Sequence, residues 1–284
     1  MNHRAPIVLL LILSFSVATV LCDQQKHHGT PPPPSKPILV IGASYSNGKV
    51  NFNLGLTSPL FGVAIGAGSW LSLGDALVRD RQTDGFVVNE AQAGATTFDR
   101  LGCNPGPECG PGMWDSYETQ FFRALARVTV PDPEAEAGVS YNADYVVITI
   151  ANDCLHSDAF GVPQTETTPC TQQEVEEAMD RMIAVGQLAV DRGITPIYTI
   201  YPDYANLQLS VTQAAFGLAW IANEQQYNAL RDTHRERIAA LLPDALLVDA
   251  YRRFEASADG LHPTSRTHEL AAIEVLRAMR SHQH

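Results

Sequence analysis

The sequence predicts an α/β fold, a three-layer, doubly wound arrangement with helices on both faces of a parallel sheet of about five strands. Short runs that are apolar at every position, as buried parallel strands are, alternate along the chain with longer amphipathic segments. Such alternation is typical of an open parallel sheet. The predicted strands are Ile38–Ile41, Gly85–Val88, Tyr145–Ile150, Ile197–Ile200 and Ala245–Val248.

The clearest helix follows Cys170. Thr171 and Glu174 have the Thr-x-x-Glu spacing of a capping box, and Gly193 supplies a residue that can end the helix. Apolar residues recur on one face of this segment at Val175, Met179, Met182 and Ile183. Similar patterns predict helices over residues 114–128, 218–241 and 264–280.

Length and composition are those of one globular domain. The chain has 284 residues, 45% of them hydrophobic, and its 19 Lys+Arg against 31 Asp+Glu give a net charge of −12. Because one core can grow to roughly 250 residues, a single domain over residues 37–284 suffices. With only three lysines, the sequence offers no basic stripe for phosphates, which argues against a nucleic-acid partner.

The N-terminus predicts export. Residues 1–22 combine a short basic start, an apolar stretch and a switch to polar residues at Asp23, as a secretory signal peptide does. An uncleaved membrane anchor and lipidation at Cys22 are the alternatives. Residues 23–36 contain four consecutive prolines and predict an extended tether. The expected location is therefore secreted or periplasmic.

Four cysteines remain after residue 22, namely Cys103, Cys109, Cys154 and Cys170. An even number in an exported chain predicts two disulfides. The sequence favours Cys103–Cys109 and Cys154–Cys170, because each pair closes a short loop rich in Pro, Gly or Thr. Zinc is the competing interpretation, but no Cys-x-x-Cys spacing is present. We therefore expect no zinc at these cysteines, and we expect no other cofactor.

Ser44, Asp259 and His262 are candidate catalytic residues. Ligands of parallel sheets bind where the strands end, and Ser44 follows the first strand in a tight turn that can present a nucleophile. Asp259 precedes His262 by three residues, so its carboxylate can fold back on Nδ1 and leave Nε2 as a base. In isolation, the Ser44 turn is more typical of a helix cap or a phosphate-binding turn, and Asp259-Gly260 is more typical of a plain turn.

Gly94 and Asn152 are candidate oxyanion donors. Gly94 follows the second strand, where a missing Cβ lets a backbone N–H approach a ligand, and Asn152 lies at the end of the third with a side-chain amide. Together with the backbone N–H of Ser44, they would place three donors around one oxygen. Acyl transfer needs such donors to stabilise its tetrahedral intermediate.

In this order, Ser44, Gly94, Asn152 and His262 resemble the four sequence blocks of the SGNH (GDSL-like) serine hydrolases. The likeness covers residues 38–280 and is especially close over residues 259–264. The Asp that usually precedes the serine is replaced by Ala43, and the glycine expected shortly before Asn152 is missing. The resemblance implies the flavodoxin-like SGNH fold and an esterase, lipase, thioesterase or carbohydrate deacetylase that needs no metal.

The sequence therefore predicts an exported serine hydrolase that cleaves carboxylic esters through an acyl-enzyme. Its expected partner is a small-molecule, lipid or carbohydrate ester, and a membrane only through the N-terminal segment. An acyltransferase to a sugar or lipid alcohol would use the same residues. A non-catalytic binding module on the same scaffold is the alternative that Ala43 and the altered third block leave open.

Overall fold

Five parallel strands form the central sheet. The computed structural model describes residues 36–47, 72–79, 87–92, 94–101, 113–156, 168–216 and 219–282. The strands are β1 (Ile38–Ile41), β2 (Val87–Asn89), β3 (Tyr145–Ile148), β4 (Thr195–Thr199) and β5 (Leu246–Val248). They lie in the order β2-β1-β3-β4-β5, and every neighbouring pair is parallel. This is the doubly wound, flavodoxin-like order.

The predicted strands are present, with shifted ends. Every residue of β1 and β3 is buried, which explains why both sequence segments are apolar throughout. The third strand ends at Ile148 rather than Ile150. The side chain of the next residue, Thr149, accepts a hydrogen bond from Ser46 in the turn that follows β1. The second strand extends to Asn89, whereas Gly85 and Phe86 lie outside the described residues.

The described ranges contain seven helices. They are α1 (Ser44–Asn47), α2 (Leu73–Arg79), α3 (Tyr117–Val128), α4 (Gln172–Val190), α5 (Leu209–Phe216), α6 (Glu224–Leu241) and α7 (Ser265–His282). Helix α2 packs against α7, whereas α4 contacts both α3 and α6. A 3-10 turn spans Tyr204–Asn206, and two short antiparallel pairs join Arg100–Leu101 to Met113–Trp114 and Thr129–Pro131 to Val139–Tyr141.

The predicted capping box of α4 is confirmed. The N–H of Glu174 donates to Thr171 Oγ1 at 3.3 Å, and the N–H of Thr171 donates to Glu174 Oε2 at 2.7 Å. The helix ends at Val190, and Gly193 turns the chain toward β4 with a φ of +70°. That left-handed conformation favours glycine, which accounts for the position of the helix stop.

The predicted helix over residues 218–241 is wrong at its start. Helix α6 begins only at Glu224, after Asn223, whose side chain caps it. Trp220 instead pairs with His156 in an isolated antiparallel bridge. The sequence also gave no indication of α5, a separate helix that precedes this segment.

None of the helices in the described ranges is long and apolar enough to cross a membrane. The predicted signal peptide and the predicted tether lie outside those ranges, apart from Lys36.

Candidate active site

Ser44 begins α1 directly beyond the carboxyl end of β1. The chain makes the turn through Gly42, which has a φ of +137° and donates its N–H to Gln120 Oε1 at 2.8 Å. A Cβ at this position would lie 2.0 Å from Thr149 Oγ1. Glycine is therefore required both by the backbone conformation and by the close approach of Thr149.

Hydrogen bonds of Ser46, rather than of Ser44 itself, hold the turn that contains Ser44. Ser46 Oγ donates to Thr149 Oγ1 at 2.7 Å, and Asn89 Nδ2 donates to the Ser46 carbonyl at 2.9 Å. Ser44 is 8% exposed, and neither its N–H nor its hydroxyl has a hydrogen-bond partner among the described residues. Both groups can therefore bind a ligand without breaking a contact within the described structure.

Asp259 and His262 form a close, buried pair. Asp259 Oδ2 lies 2.8 Å from His262 Nδ1, and both side chains are at most 3% exposed. The other carboxylate oxygen accepts the backbone N–H of His262 at 2.8 Å, that of Leu261 at 2.9 Å and the hydroxyl of Ser257 at 2.9 Å. These bonds leave the carboxylate one orientation relative to the imidazole ring.

The same contacts decide the charge of Asp259. Burial raises the pKa of this carboxyl, but His262 and the N–H groups that point at the carboxylate outweigh burial. The net pKa lies below the ordinary value of an aspartate. Asp259 is thus an anion that can orient an imidazole and stabilise its protonated form.

Tyr45 connects the Ser44 turn to the His262 turn. Its hydroxyl donates to the Leu261 carbonyl at 2.8 Å, and its ring centroid lies 6.2 Å from that of His262. The ring also stacks on Phe254 at 6.0 Å and meets Tyr251 edge-on at 5.3 Å. Tyr45, which follows the candidate nucleophile Ser44, therefore also contacts the turn that carries the candidate base His262.

The other two candidate donors lie on loops that contact each other. Gly94 has a φ of +82°, the left-handed region that favours glycine, and Asn152 Nδ2 donates to the Ala95 carbonyl at 3.2 Å. An amide nitrogen carries two hydrogens, so this bond leaves Asn152 a second N–H for a ligand. The Gly94 loop also approaches the Ser44 turn, since the N–H of Gln92 donates to the Gly42 carbonyl at 3.1 Å.

A network that sequence reasoning missed joins the two donor loops. Asp153, which is 1% exposed, accepts the N–H of Thr97 at 3.0 Å and also its hydroxyl. Arg181 on α4 donates from Nε to Thr97 Oγ1 at 2.8 Å, and its guanidinium lies over the Phe98 ring. Nothing in the helical pattern of residues 172–190 distinguished this arginine, because its partners are remote in the sequence.

Asp153 is a carboxyl group in a fully buried position, where ionisable side chains are rare. Burial raises its pKa, and the hydrogen bonds from Thr97 and the charge of Arg181 offset only part of that effect. Thr97 and Arg181 therefore favour the charged form of this carboxyl group, whereas burial disfavours it.

A second buried histidine lies near the Asp259–His262 pair. His268 on α7 is fully buried, and neither ring nitrogen has a hydrogen-bond partner among the described residues. Burial, with a smaller contribution from the charge of His262, lowers the pKa of His268 to about 3. A neutral imidazole with no ligand contact fits a core residue rather than a second base.

A disulfide holds the loop that follows Asn152. The predicted Cys154–Cys170 disulfide is present and joins that loop to the start of α4. The predicted Cys103–Cys109 disulfide lies outside the described residues. Within the described ranges, no group of three His, Cys, Asp or Glu side chains is arranged to hold a metal ion.

Comparison with known proteins shows the fold. The sequence matches no protein-family model and no curated protein. In structure, the chain resembles Est24, a carbohydrate acetylesterase from Sinorhizobium meliloti, with a TM-score of 0.53, 13% identity and coverage of 87% of this chain and 99% of that one.

Two further structures are similar. A carbohydrate acetylesterase family member from Sinorhizobium meliloti matches with a TM-score of 0.51, 13% identity and coverage of 87% and 98% of the two chains. The psychrotrophic esterase EstA from Pseudoalteromonas matches with a TM-score of 0.43 and 13% identity, and the match covers 87% of this chain and 98% of that one. The likeness to the two acetylesterase structures confirms the doubly wound α/β fold that the sequence predicted.

Proposed function

We propose that this protein is a serine esterase that cleaves carboxylic esters through an acyl-enzyme. The observation that supports this most directly is the buried 2.8 Å contact of Asp259 Oδ2 with His262 Nδ1, in a turn that Tyr45 ties to the segment bearing Ser44. An oriented imidazole next to a serine turn at the carboxyl edge of a parallel sheet is suited to nucleophilic catalysis.

In the first half-reaction, Ser44 Oγ attacks the ester carbonyl carbon while His262 Nε2 takes its proton. The carbonyl π pair moves onto oxygen, and the resulting oxyanion is held by the N–H groups of Ser44, Gly94 and the Asn152 amide. Collapse of this intermediate breaks the bond to the alcohol, which leaves with the proton from His262. The products are a free alcohol and an acylated Ser44.

In the second half-reaction, water takes the place of the alcohol. His262 accepts a proton from water, the hydroxide adds to the acyl carbon, and collapse returns the proton to Ser44 Oγ and releases the acid. Asp259 holds Nδ1 of His262 as a hydrogen-bond donor throughout, which presents Nε2 to the serine. Every proton in this cycle moves between side chains, substrate and water.

The fold and the cysteines support the remaining parts of the proposal. Est24, which has this fold, is named as a carbohydrate acetylesterase, so the scaffold serves ester cleavage in another chain. We further propose that the protein acts outside the cytoplasm. The signal-like residues 1–22 and the Cys154–Cys170 disulfide support this, since disulfides persist in oxidising compartments.

Labelling with a fluorophosphonate probe tests the proposal. The wild-type protein and Ser281→Ala, altered at an exposed serine near the end of α7, should be labelled once and should hydrolyse 4-nitrophenyl acetate. Ser44→Ala should lose the label and about 10³-fold or more of kcat. Equal labelling of Ser44→Ala and the wild type would show that the nucleophile lies elsewhere.

A further inference from the structure

An amide side chain, that of Gln120, lies on the buried face of α3 and is 0% exposed. The residues buried beside it on this helix are aromatic or aliphatic, namely Tyr117, Phe121, Ala124, Leu125 and Val128. Burying an amide costs free energy unless its polar atoms are hydrogen-bonded. The partners of Gln120 therefore indicate the role of this side chain.

Both ends of the Gln120 amide bind backbone groups of other segments. Its Oε1 accepts the N–H of Gly42 at 2.8 Å, two residues before Ser44. Its Nε2 donates to the Asp115 carbonyl at 3.1 Å, just before α3 begins. Gln120 therefore joins the turn that carries the candidate nucleophile to the segment that precedes its own helix.

Gln92 continues this connection to the loop that bears Gly94. Its Oε1 accepts the N–H of Asp115 and its Nε2 donates to Asp115 Oδ2, both at 2.9 Å. The N–H of Gln92 donates to the Gly42 carbonyl at 3.1 Å. These bonds close a ring of four residues, namely Gly42, Gln120, Asp115 and Gln92, which we call the hydrogen-bonded ring.

The hydrogen-bonded ring lies next to all three candidate oxyanion donors. Ser44 and Gly94 each follow a member of the ring by two residues. The N–H of Ala95 donates to the Gln92 carbonyl at 3.0 Å, which closes the turn that contains Gly94. The Ala95 carbonyl accepts the amide of Asn152 at 3.2 Å. The separation of the three donors therefore depends on the ring.

We propose that Gln120 is a positioning residue that sets the spacing of the two backbone oxyanion donors, the N–H groups of Ser44 and Gly94. This inference rests on the proposed esterase function. Such donors stabilise an oxyanion only where they point at its position in the tetrahedral intermediate, so a small displacement of either loop weakens them. An apolar side chain of similar size would fill the same space without linking Gly42 to Asp115.

Gln120→Leu tests the spacing by kinetics. With 4-nitrophenyl acetate, kcat should fall about tenfold while KM stays the same, because the donors act on the transition state. Gln225→Leu, the same change at an exposed position of α6, should leave both constants unchanged. A kcat within about threefold of wild type, or a rise of KM that matches the loss of kcat, would overturn the proposal.

Gln120→Glu gives a result that a loss of packing alone would not produce. A charged carboxylate can accept the Gly42 N–H but cannot donate to the Asp115 carbonyl, whereas the protonated form can do both. Burial and the facing carbonyl both favour the protonated form and raise the pKa of the new carboxyl. The ratio of kcat in Gln120→Glu to kcat in wild type should therefore rise severalfold from pH 8 to pH 5.

The control for this pH profile is Gln225→Glu, which adds a carboxyl at an exposed position. Its kcat should keep a constant ratio to that of wild type. A loss of kcat in Gln120→Glu that is the same at every pH would overturn the proposal. Far-UV circular dichroism at each pH shows that folded proteins are compared.

Gln92→Leu breaks the same ring at another point. It should lower kcat as Gln120→Leu does, and the double variant should lose little more than either single variant, because one break already separates the two loops. Two losses that multiply in the double variant would show independent roles and would likewise overturn the proposal.

The wild-type protein separates this inference from the proposed function. Absence of 4-nitrophenyl acetate hydrolysis in the wild type would contradict the esterase function, and the positioning role of Gln120 with it. Hydrolysis by the wild type and by Gln120→Leu at the same rate would contradict the positioning role alone.

Discussion

The hydroxyl of Tyr45 donates to the carbonyl of Leu261 at 2.8 Å, a bond between residues 216 positions apart in the sequence. Each of the two residues is adjacent to a candidate catalytic residue, Ser44 and His262. The bond therefore sets the separation of the two loops on which attack by a serine would depend.

Tyr45→Phe should lower both stability and activity. Loss of one buried hydrogen bond should cost about 1 kcal/mol of the free energy of unfolding, measured in urea. Because the Leu261 loop loses its support, kcat should fall severalfold. Tyr251→Phe is the matched control, since the Tyr251 hydroxyl is buried without a hydrogen-bond partner among the described residues. If both variants behaved alike, the bond to Leu261 would have no special role.

Asp259→Asn should lower kcat for 4-nitrophenyl acetate by about 10³-fold or more, with the far-UV circular dichroism spectrum unchanged. An amide at this position cannot stabilise a protonated imidazole as a carboxylate does, and it can hold the ring in the wrong tautomer. Asp244→Asn, at an exposed position before β5, should behave as wild type. A kcat/KM within about threefold of wild type would remove Asp259 from the mechanism.

Arg181→Met should reduce kcat about tenfold while KM stays the same. The change removes the cation beside the buried Asp153 and the hydrogen bond to Thr97, so the loops bearing Gly94 and Asn152 lose a common anchor. Oxyanion donors act on the transition state, which places the effect in kcat.

Arg237→Met and Arg181→Lys are the controls for Arg181→Met. Arg237, which forms an ion pair with Asp180 on α4, has similar exposure, so Arg237→Met should leave kcat unchanged. Arg181→Lys restores a positive charge and should recover part of the activity. A parallel rise of KM in Arg181→Met would instead indicate general damage to the site.

Gly42→Ala should destabilise the protein by more than about 3 kcal/mol, because strain at positive φ adds to a clash. The new Cβ would lie 2.0 Å from Thr149 Oγ1. Gly138→Ala isolates the strain, since Gly138 has a φ of +68° and no described atom lies within 4 Å of where its Cβ would be. Gly138→Ala should lower the free energy of unfolding, measured in urea, by roughly 1–2 kcal/mol. Equal losses for both variants would exclude the clash with Thr149.

Stability should fall as the pH drops below about 6.5, the ordinary pKa of an unfolded histidine. Burial lowers the pKa of His234 to about 3, and burial together with the charge of His262 lowers that of His268 to about 3. The unfolded chain therefore binds more protons between these values. At pH 5, each histidine should cost about 2 kcal/mol of the free energy of unfolding relative to pH 8.

His234→Leu tests this pH dependence. In urea unfolding, the loss of stability from pH 8 to pH 5 should shrink by about 2 kcal/mol in this variant. His282→Gln, at an exposed position at the end of α7, should keep the full loss. An unchanged loss in His234→Leu would mean that the buried His234 is not the group that titrates.

The sequence predicted those parts of the fold that depend on local pattern. Strands β1 and β3 are buried on both faces, so their residues are apolar throughout and recognisable without a partner. The capping box of Thr171 and Glu174 lies within four residues and was equally readable. The spacing of Asp259 and His262 is also local, so the carboxylate–imidazole contact could be anticipated from the sequence.

Only the tertiary structure decided contacts between remote segments. Residues 219–223 are not helical, although the helical pattern runs through them, and Trp220 pairs with His156 instead. Arg181 looks like any exposed arginine of a helix until Thr97 and Asp153 are placed beside it. Side-chain periodicity reports which face of an element is buried, and it carries no information on which distant residue lies opposite.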